Sequence, residues 1–292
     1  MTQPPRPAVF AGLATLDVVH RVARLPGPDE KVTATAVEVT AGGPAANAAK
    51  TLAALGGRAR LVTALGADPV AGLVRADLES FGVEVVDLAS GRPGIPPVAS
   101  VLVTETTGQR AVVNSEGFAL PDVPPLDELV AGAASLLVDG HHPTLALAAA
   151  RAARAAGVPV VADAGRPRPV WERLLPLTDV AICSAEFRVG DAPAGGFAAA
   201  ALHAVGVRRV AITAGAGPLA WWDADTRASG ELRPPTVTAV DTLGAGDVLH
   251  GAFCFHAERG LGFADALAAA SRLAAARCTR WGLNAWLRSL RA

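Results

Sequence analysis

The stretch DTLGAGDVLHG, residues 241–251, sets three small residues, Gly244, Ala245 and Gly246, directly before an acid, Asp247, and then an apolar run. A helix N-terminus carries unpaired N–H groups and partial positive charge, so this spacing describes an anion cradle at the start of a buried helix. Absent side chains let an anion come close to that backbone. A carboxylate beside a bound phosphate is repelled by it and should have a use there. Phosphoryl transfer to an alcohol supplies one: the acid takes the hydroxyl proton while N–H dipoles hold the charge on the moving group. The same residues would also serve as a plain helix cap with glycines for tight packing. On the residues alone both readings stay open. Other phosphate loops do not fit. No Gly-Lys-Ser/Thr pattern occurs, and GAGDVL lacks the third glycine of a dinucleotide fingerprint and lies far from the first strand.

The elements that must position these residues follow from periodicity. The apolar run 8–19 predicts a first strand covered on both faces. Segments 20–26 and 31–39 alternate apolar and polar residues around GPDE, and 98–106 and 109–116 do so around Thr-Gly, predicting two hairpins. AGGPAANAAKTLAALGG, 41–57, reads as a helix with glycine ends. From SLLVDG onward, strand and helix alternate through VPVVADAG, TDVAICS and RRVAITAG, which predicts a mainly parallel sheet wound on both faces. The hairpins, at about 18–39 and 98–115, do not belong in such a sheet and form a small β lid beside it. The whole of 1–292 reads as one domain.

At 292 residues with 51% hydrophobic residues, the chain can bury a large core, and with 4% aromatic residues aliphatics and alanine must fill it. A formal net charge of −1 excludes a nucleic-acid or acidic-membrane footprint. Cys183, Cys254 and Cys278 are odd in number, lack metal-like spacing and sit in apolar contexts, as reduced cytosolic thiols do. Without a signal-peptide pattern or a membrane-length apolar run, the expected location is the cytoplasm. Of the histidines, the adjacent His141 and His142 point apart on a strand end and suggest no metal site, while His250 and His256 read as helix packing. The Trp221-Trp222 pair reads as sheet core or surface.

AGGPAANAAKTLAALGG near the start and DTLGAGDVLHGAF near the end resemble the two signature regions of the ribokinase-type (PfkB) carbohydrate kinases, in the right order and with the expected rhythm between them. Within that family the chain looks closest to the ketohexokinase and sulfofructose kinase branch, which the tail AAARCTRWG also resembles. The resemblance implies a ribokinase-like three-layer α/β sandwich, mainly parallel in its central sheet, with a β lid that pairs in homodimers. It implies ATP and Mg²⁺, with a monovalent cation such as K⁺ as a further expectation, and a small sugar as partner. By resemblance Asp247 is the catalytic base and Gly244, Ala245 and Gly246 form the anion hole. Asp17, Gly42, Gly43 and Asn47 read sugar hydroxyls, with Asp139 and Arg110 as further substrate contacts. Thr213, Gly215, Gly217, Ser184 and Cys278 surround the nucleotide.

Three positions depart from the family pattern. Pro44 stands where a polar residue is common. The Asn-x-x-Glu motif is absent, with Ser184 and Glu186 in its place, so the metal ligands are undefined. Pro218 replaces the last glycine of the nucleotide turn. The reading is an ATP-dependent kinase of a small sugar, a ketose or a relative of one. A nucleoside kinase and an inactive sugar-binding regulator are the alternatives. Base recognition wants aromatic stacking, which the lid hairpins cannot supply, and a binding module has no need of Asp247. Lys31 and Arg110 leave an anionic sugar open.

Overall fold

A computed structural model of the chain describes residues 6–188 and 196–291. The first apolar run does not form one strand. It divides into β1 (Ala8–Ala11) and β2 (Thr15–Val22), which belong to different sheets. β3 (Ala36–Gly42), α1 (Pro44–Ala54), β4 (Ala59–Thr63), α2 (Pro69–Ser80) and β5 (Glu84–Asp87) follow. Next come β6 (Val98–Thr104), β7 (Arg110–Asn114), α3 (Asp127–Val130), β8 (Ser135–Val138), α4 (Pro143–Ala155), β9 (Val160–Ala164) and α5 (Trp171–Leu174). The chain continues through β10 (Val180–Ser184), α6 (Gly196–Ala204), β11 (Arg209–Thr213), β12 (Leu219–Asp223) and β13 (Ala228–Leu232). It ends with α7 (Ala245–Ala257), α8 (Phe263–Arg277) and α9 (Leu283–Ser289).

The main sheet runs β13-β12-β11-β10-β9-β8-β1-β4-β5. From β11 to β5 its neighbours are parallel, and β12 and β13 close one edge as an antiparallel hairpin. Alternation along each strand divides the core in two. Phe10, Leu61, Leu137 and Ile182 point to the side packed by α1, α7 and α8, while Val9, Val62, Leu136, Val138 and Cys183 point to the side packed by α4 and α5. Each fully buried aliphatic or Phe side chain is worth about 1.5–3 kcal/mol, so a sheet covered on both faces is the stable solution for this composition. The arrangement is a three-layer α/β sandwich with a mainly parallel central sheet.

The lid is one four-stranded sheet, β3-β2-β6-β7, rather than two separate hairpins, because β2 pairs with β6 in parallel. It also begins earlier and ends later than expected, since Thr15 pairs with Gly42. Its inner face carries Val19, Ala99, Val101 and Val103 against Leu243 and Trp281 of the body. Residues paired across strands share a face, so Val37, Val39 and Val113 lie on the other side, and all three are exposed.

Candidate active site

Asp247 is the third residue of α7, whose N-cap, Gly244, has φ +75°, a left-handed conformation that glycine adopts without strain. First-turn N–H groups find no acceptor inside their own helix. That of Ala245 turns back to the Thr242 carbonyl at 3.3 Å. Gly246 has an ordinary φ, and a Cβ built on it would meet no protein atom within 4 Å. Neither packing nor backbone geometry therefore requires glycine there. What its bareness leaves is open space over the helix start.

Gly251, one turn beyond Asp247, explains how the second signature region arrives. A Cβ at Gly251 would sit 2.3 Å from the Ala48 carbonyl, so α7 and α1 cross in close contact. That contact sets Asn47 beside Asp247, with Asn47 Nδ2 donating to Asp247 Oδ2 at 2.8 Å. Asn47 is 4% exposed, yet its Oδ1 has no hydrogen-bond partner among the described residues. A buried amide oxygen left unpaired costs about 1–3 kcal/mol. Its geometry asks for a donor from outside the chain.

Burial raises the Asp247 carboxyl to about 6; the charge of Asp163 adds to the rise, while the Asn47 bond, His250 and Arg110 pull against it. His250 is more than a packing residue. Its Nδ1 lies 2.8 Å from the Gly246 carbonyl, and its Nε2 lies 3.2 Å from the Ile182 carbonyl and 3.5 Å from Asp163. The ring ties the cradle to the ends of β9 and β10. His256 is half-buried and sits edge-on to Phe255.

The other predicted residues gather at the same end of the sheet, outside the carboxyl ends of its parallel strands, where such folds bind ligands. Asp17 lies in β2, on the lid's inner face, and accepts from Thr15 Oγ1. Burial raises its carboxyl pKa, with Thr15 and then Lys50 opposing. Gly42 makes room for it, since a Cβ there would fall about 2.0 Å from the Asp17 carboxylate. At Gly43, φ +94°, an added Cβ would fall 2.5 Å from the Leu13 carbonyl, so only glycine lets the chain pass there. Pro44 is the first residue of α1, where a missing N–H costs nothing.

Asp139 does not present a free carboxylate. Its Oδ2 accepts from Leu13 N at 2.8 Å and Ala45 N at 3.2 Å, and its Oδ1 from His141 N at 3.0 Å. It holds three loops around the site together. Arg110, on β7, reaches the Thr242 carbonyl and hydroxyl at 3.3 Å, so it lies over the loop entering the cradle. Ser184 and Thr213 are register partners at the ends of β10 and β11. The turn after β11 closes through Gly217 N–H to the Ala214 carbonyl at 2.9 Å, with Gly215 at φ +59° and Pro218 following. Cys278 contributes its carbonyl, which accepts from Val240 N at 2.7 Å and Asp241 N at 3.2 Å. Among the described residues no group of three His, Cys, Asp or Glu is placed to hold a metal, His141 and His142 included.

Several supporting residues were not anticipated. Asp241 and Arg277 form a buried pair at 2.6 Å, and Asp241 also accepts from Leu243 N and Gly282 N. Lys50, with no exposed surface, donates to Ala41 O, Thr40 Oγ1 and Asn284 Oδ1. Trp281 packs on the lid's inner face with Arg21 over its ring at 5.8 Å. Asp241, Lys50 and Trp281 lie within the stretches that carry the family resemblance, but none of them was singled out.

Residues 7–288 match the pfkB family carbohydrate kinase model. The chain belongs to the pfkB family of carbohydrate kinases. Among curated relatives of this pfkB kinase, a ribokinase of Arabidopsis thaliana is 28% identical over 85% of this chain and 69% of its own. An ATP-dependent ribose-1-phosphate kinase of Halopiger xanaduensis is 35% identical over 53% of each. The solved structure of Arabidopsis thaliana ribokinase complexed with ribose and ATP superposes with TM-score 0.77, at 24% identity, over 98% of both chains, a likeness of fold. The enzyme class is that of an ATP-dependent carbohydrate kinase. No helix among the described residues is long and apolar enough to cross a membrane.

Proposed function

We propose that this kinase transfers the γ-phosphoryl group of ATP to one hydroxyl of a small sugar, with Asp247 as the general base. The observation that carries the reading is the unpaired, buried Oδ1 of Asn47 next to the Asp247 carboxylate. A hydroxyl donating to Asn47 Oδ1 would be drawn into the same corner as the base. Asp17, facing the body from the lid, would accept a second hydroxyl. The bare backbone at Gly246 and the first-turn N–H groups would take the charge of the moving phosphoryl group, with Arg110 of the lid beside them. The carboxyl at about 6 is ionised at neutral pH yet basic enough to accept a proton. Mg²⁺, when bound, screens phosphate charge; the absence of a protein cage among the described residues suits an ion carried in on the nucleotide.

The ketose preference implied by the branch resemblance has no support from the relatives, whose names are ribose-based. Ribose and its phosphates therefore stand beside ketoses as acceptors. A nucleoside remains the weaker reading, because Trp281, the aromatic nearest the lid, is already engaged in packing with Val19 and Val101. The exposed Val37, Val39 and Val113 favour a second copy of the chain over the lid's outer face.

The test is ADP release measured across neutral pentoses and ketoses, their phosphates, sugar acids and nucleosides, with the phosphorylated product identified by mass spectrometry. Sugar-dependent ADP formation that Asp247→Asn abolishes is the expected result. ADP formation that no sugar accelerates would defeat the proposal.

A further inference from the structure

Beside the acceptor site lies a cavity of about 340 Å³ whose charged side chains are Arg168 and Arg173, with His141 next to them, Leu147 and Val170 supplying apolar wall and Pro143 marking the start of α4. No carboxylate lines it. Neither Arg168 nor Arg173 forms an ion pair among the described residues, although arginines elsewhere, such as Arg75, Arg154 and Arg209, do. Glu172 opens onto the neighbouring hollow, on another side of Arg168, and is not paired with it. Among the described residues no carboxylate matches the positive charge in this cavity.

The one polar contact Arg168 makes is unusual in kind. Its Nη2 lies 3.1 Å from His141 Nε2 and 3.3 Å from His141 Nδ1. One nitrogen so nearly equidistant from both ring nitrogens lies over the imidazole rather than along one of its lone pairs. Burial lowers the His141 pKa; Arg168 and Arg166 push the same way, and Asp139 and Asp247 push back. The two guanidinium groups here present only donors. A ligand that satisfies these guanidinium groups must accept hydrogen bonds and carry negative charge, as a phosphate, sulfonate or carboxylate group does.

Its position connects the cavity to the chemistry. Gly140, φ +68°, lets the turn after β8 pack against Trp171 and Val170, which brings His141 to the cavity wall. His141 N donates to Asp139, the same carboxylate that fixes Leu13 and the start of α1, and the ring is near enough to feel Asp247. We propose that this cavity seats an anionic group carried by the acceptor sugar, so that the natural substrate is a sugar phosphate, sulfonate or acid rather than a neutral sugar. The inference rests on the kinase reading above. In the reaction the acceptor oxygen bonds to the γ-phosphorus as the bond to the β,γ-bridging oxygen breaks. The hydroxyl proton passes to Asp247, ADP leaves, and the anionic substituent is unchanged.

The experiment compares kcat/KM for matched pairs: ribose with ribose 1-phosphate and ribose 5-phosphate, fructose with fructose 6-phosphate, and glucose with gluconate. It uses the full chain and its Arg168→Gln and Arg173→Gln variants, each checked for an unchanged melting temperature. At least one anionic member should exceed its neutral partner by roughly 100-fold, and either variant should collapse that ratio by roughly tenfold or more, chiefly through KM. Turnover of neutral sugars with no anionic preference overturns the inference and leaves the kinase reading standing. Turnover of no sugar at all defeats both. Titration with inorganic phosphate separates the remaining source of the same chemistry. Arg168-dependent phosphate binding, joined to sugar ratios that the variants do not move, would make the cavity an effector site and overturn the acceptor assignment.

Discussion

Asn47 and Asp247, 200 residues apart in sequence, share a hydrogen bond of 2.8 Å. The amide thereby fixes which face of the carboxylate remains for a substrate proton. It also makes the two signature regions one chemical unit. Asp247→Asn keeps the shape and removes proton acceptance, so kcat should fall by roughly 10²–10⁴-fold while the sugar Kd changes little. Steady-state kinetics with calorimetric sugar binding checks both halves.

The acidity of the base gives a pH limb. If Asp247 is the base as proposed, it must be ionised to act; its carboxyl lies near 6, so kcat should be flat at neutral pH and fall as pH drops through about 6. The Asn47 bond favours the charged form. Asn47→Ala should therefore move the limb upward, into the neutral range, in a pH profile of kcat. A limb that stayed in place would separate Asp247 from the titration.

Gly246 allows stability and activity to be read against each other. An added methyl meets no protein atom, so Gly246→Ala should fold normally and gain up to about 1 kcal/mol from reduced chain entropy. The same methyl stands where the phosphoryl group must approach, and turnover should fall at least tenfold. A variant both more stable and fully active would return the glycine to a purely local role. Calorimetric melting and kinetics decide.

Arg277 carries a different load. Its removal strands Asp241, which is 1% exposed and organises the loop entering the cradle through Leu243 N and Gly282 N. Arg277→Met should cost about 3–5 kcal/mol by urea unfolding, and the surviving folded enzyme should be slower as the cradle loses its anchor.

The outer lid face yields a prediction about assembly. Val113, 73% exposed, and Val39, 57% exposed, should lie between two copies. Val113→Glu should shift sedimentation from dimer to monomer without lowering the melting temperature by more than a few degrees. A wild-type chain that sediments as a monomer at micromolar concentration would remove the second copy from that face.

Some of this was legible and some was not, for physical reasons. The cradle, Asp247 and the Asn47 helix were readable because helix starts and glycine placement are local signals. The division of residues 8–19 between two sheets was not, because both halves are apolar and the switch spans only 12–14. The cause of that break is distant: a Cβ on Gly12 would lie 2.3 Å from the Asp139 carboxylate, a contact no short window contains. Lys50 and Arg277 were invisible for the same reason, each being a charge inside an apolar helix whose partners lie 27 and 36 residues away. Asp139 read as a substrate contact because its type and place allowed it. Only the three N–H groups on its oxygens reveal a structural duty.

The three-residue passage from β1 into β2 also bears on the order of events in turnover. Asp17 lies on the lid side of that passage, while Asp247 and Asn47 lie on the body side. A swing of the lid would bend the chain at its crossings to the body, 12–14 and 43 among them, and would carry Asp17 with it. Acceptor recognition is thus divided between two bodies and completed only when they meet. Nucleotide arriving first would find its phosphates facing water across an unfinished wall, and nucleotide arriving second would find water displaced by sugar. On the proposed site, this division would favour sugar before nucleotide and so limit futile hydrolysis.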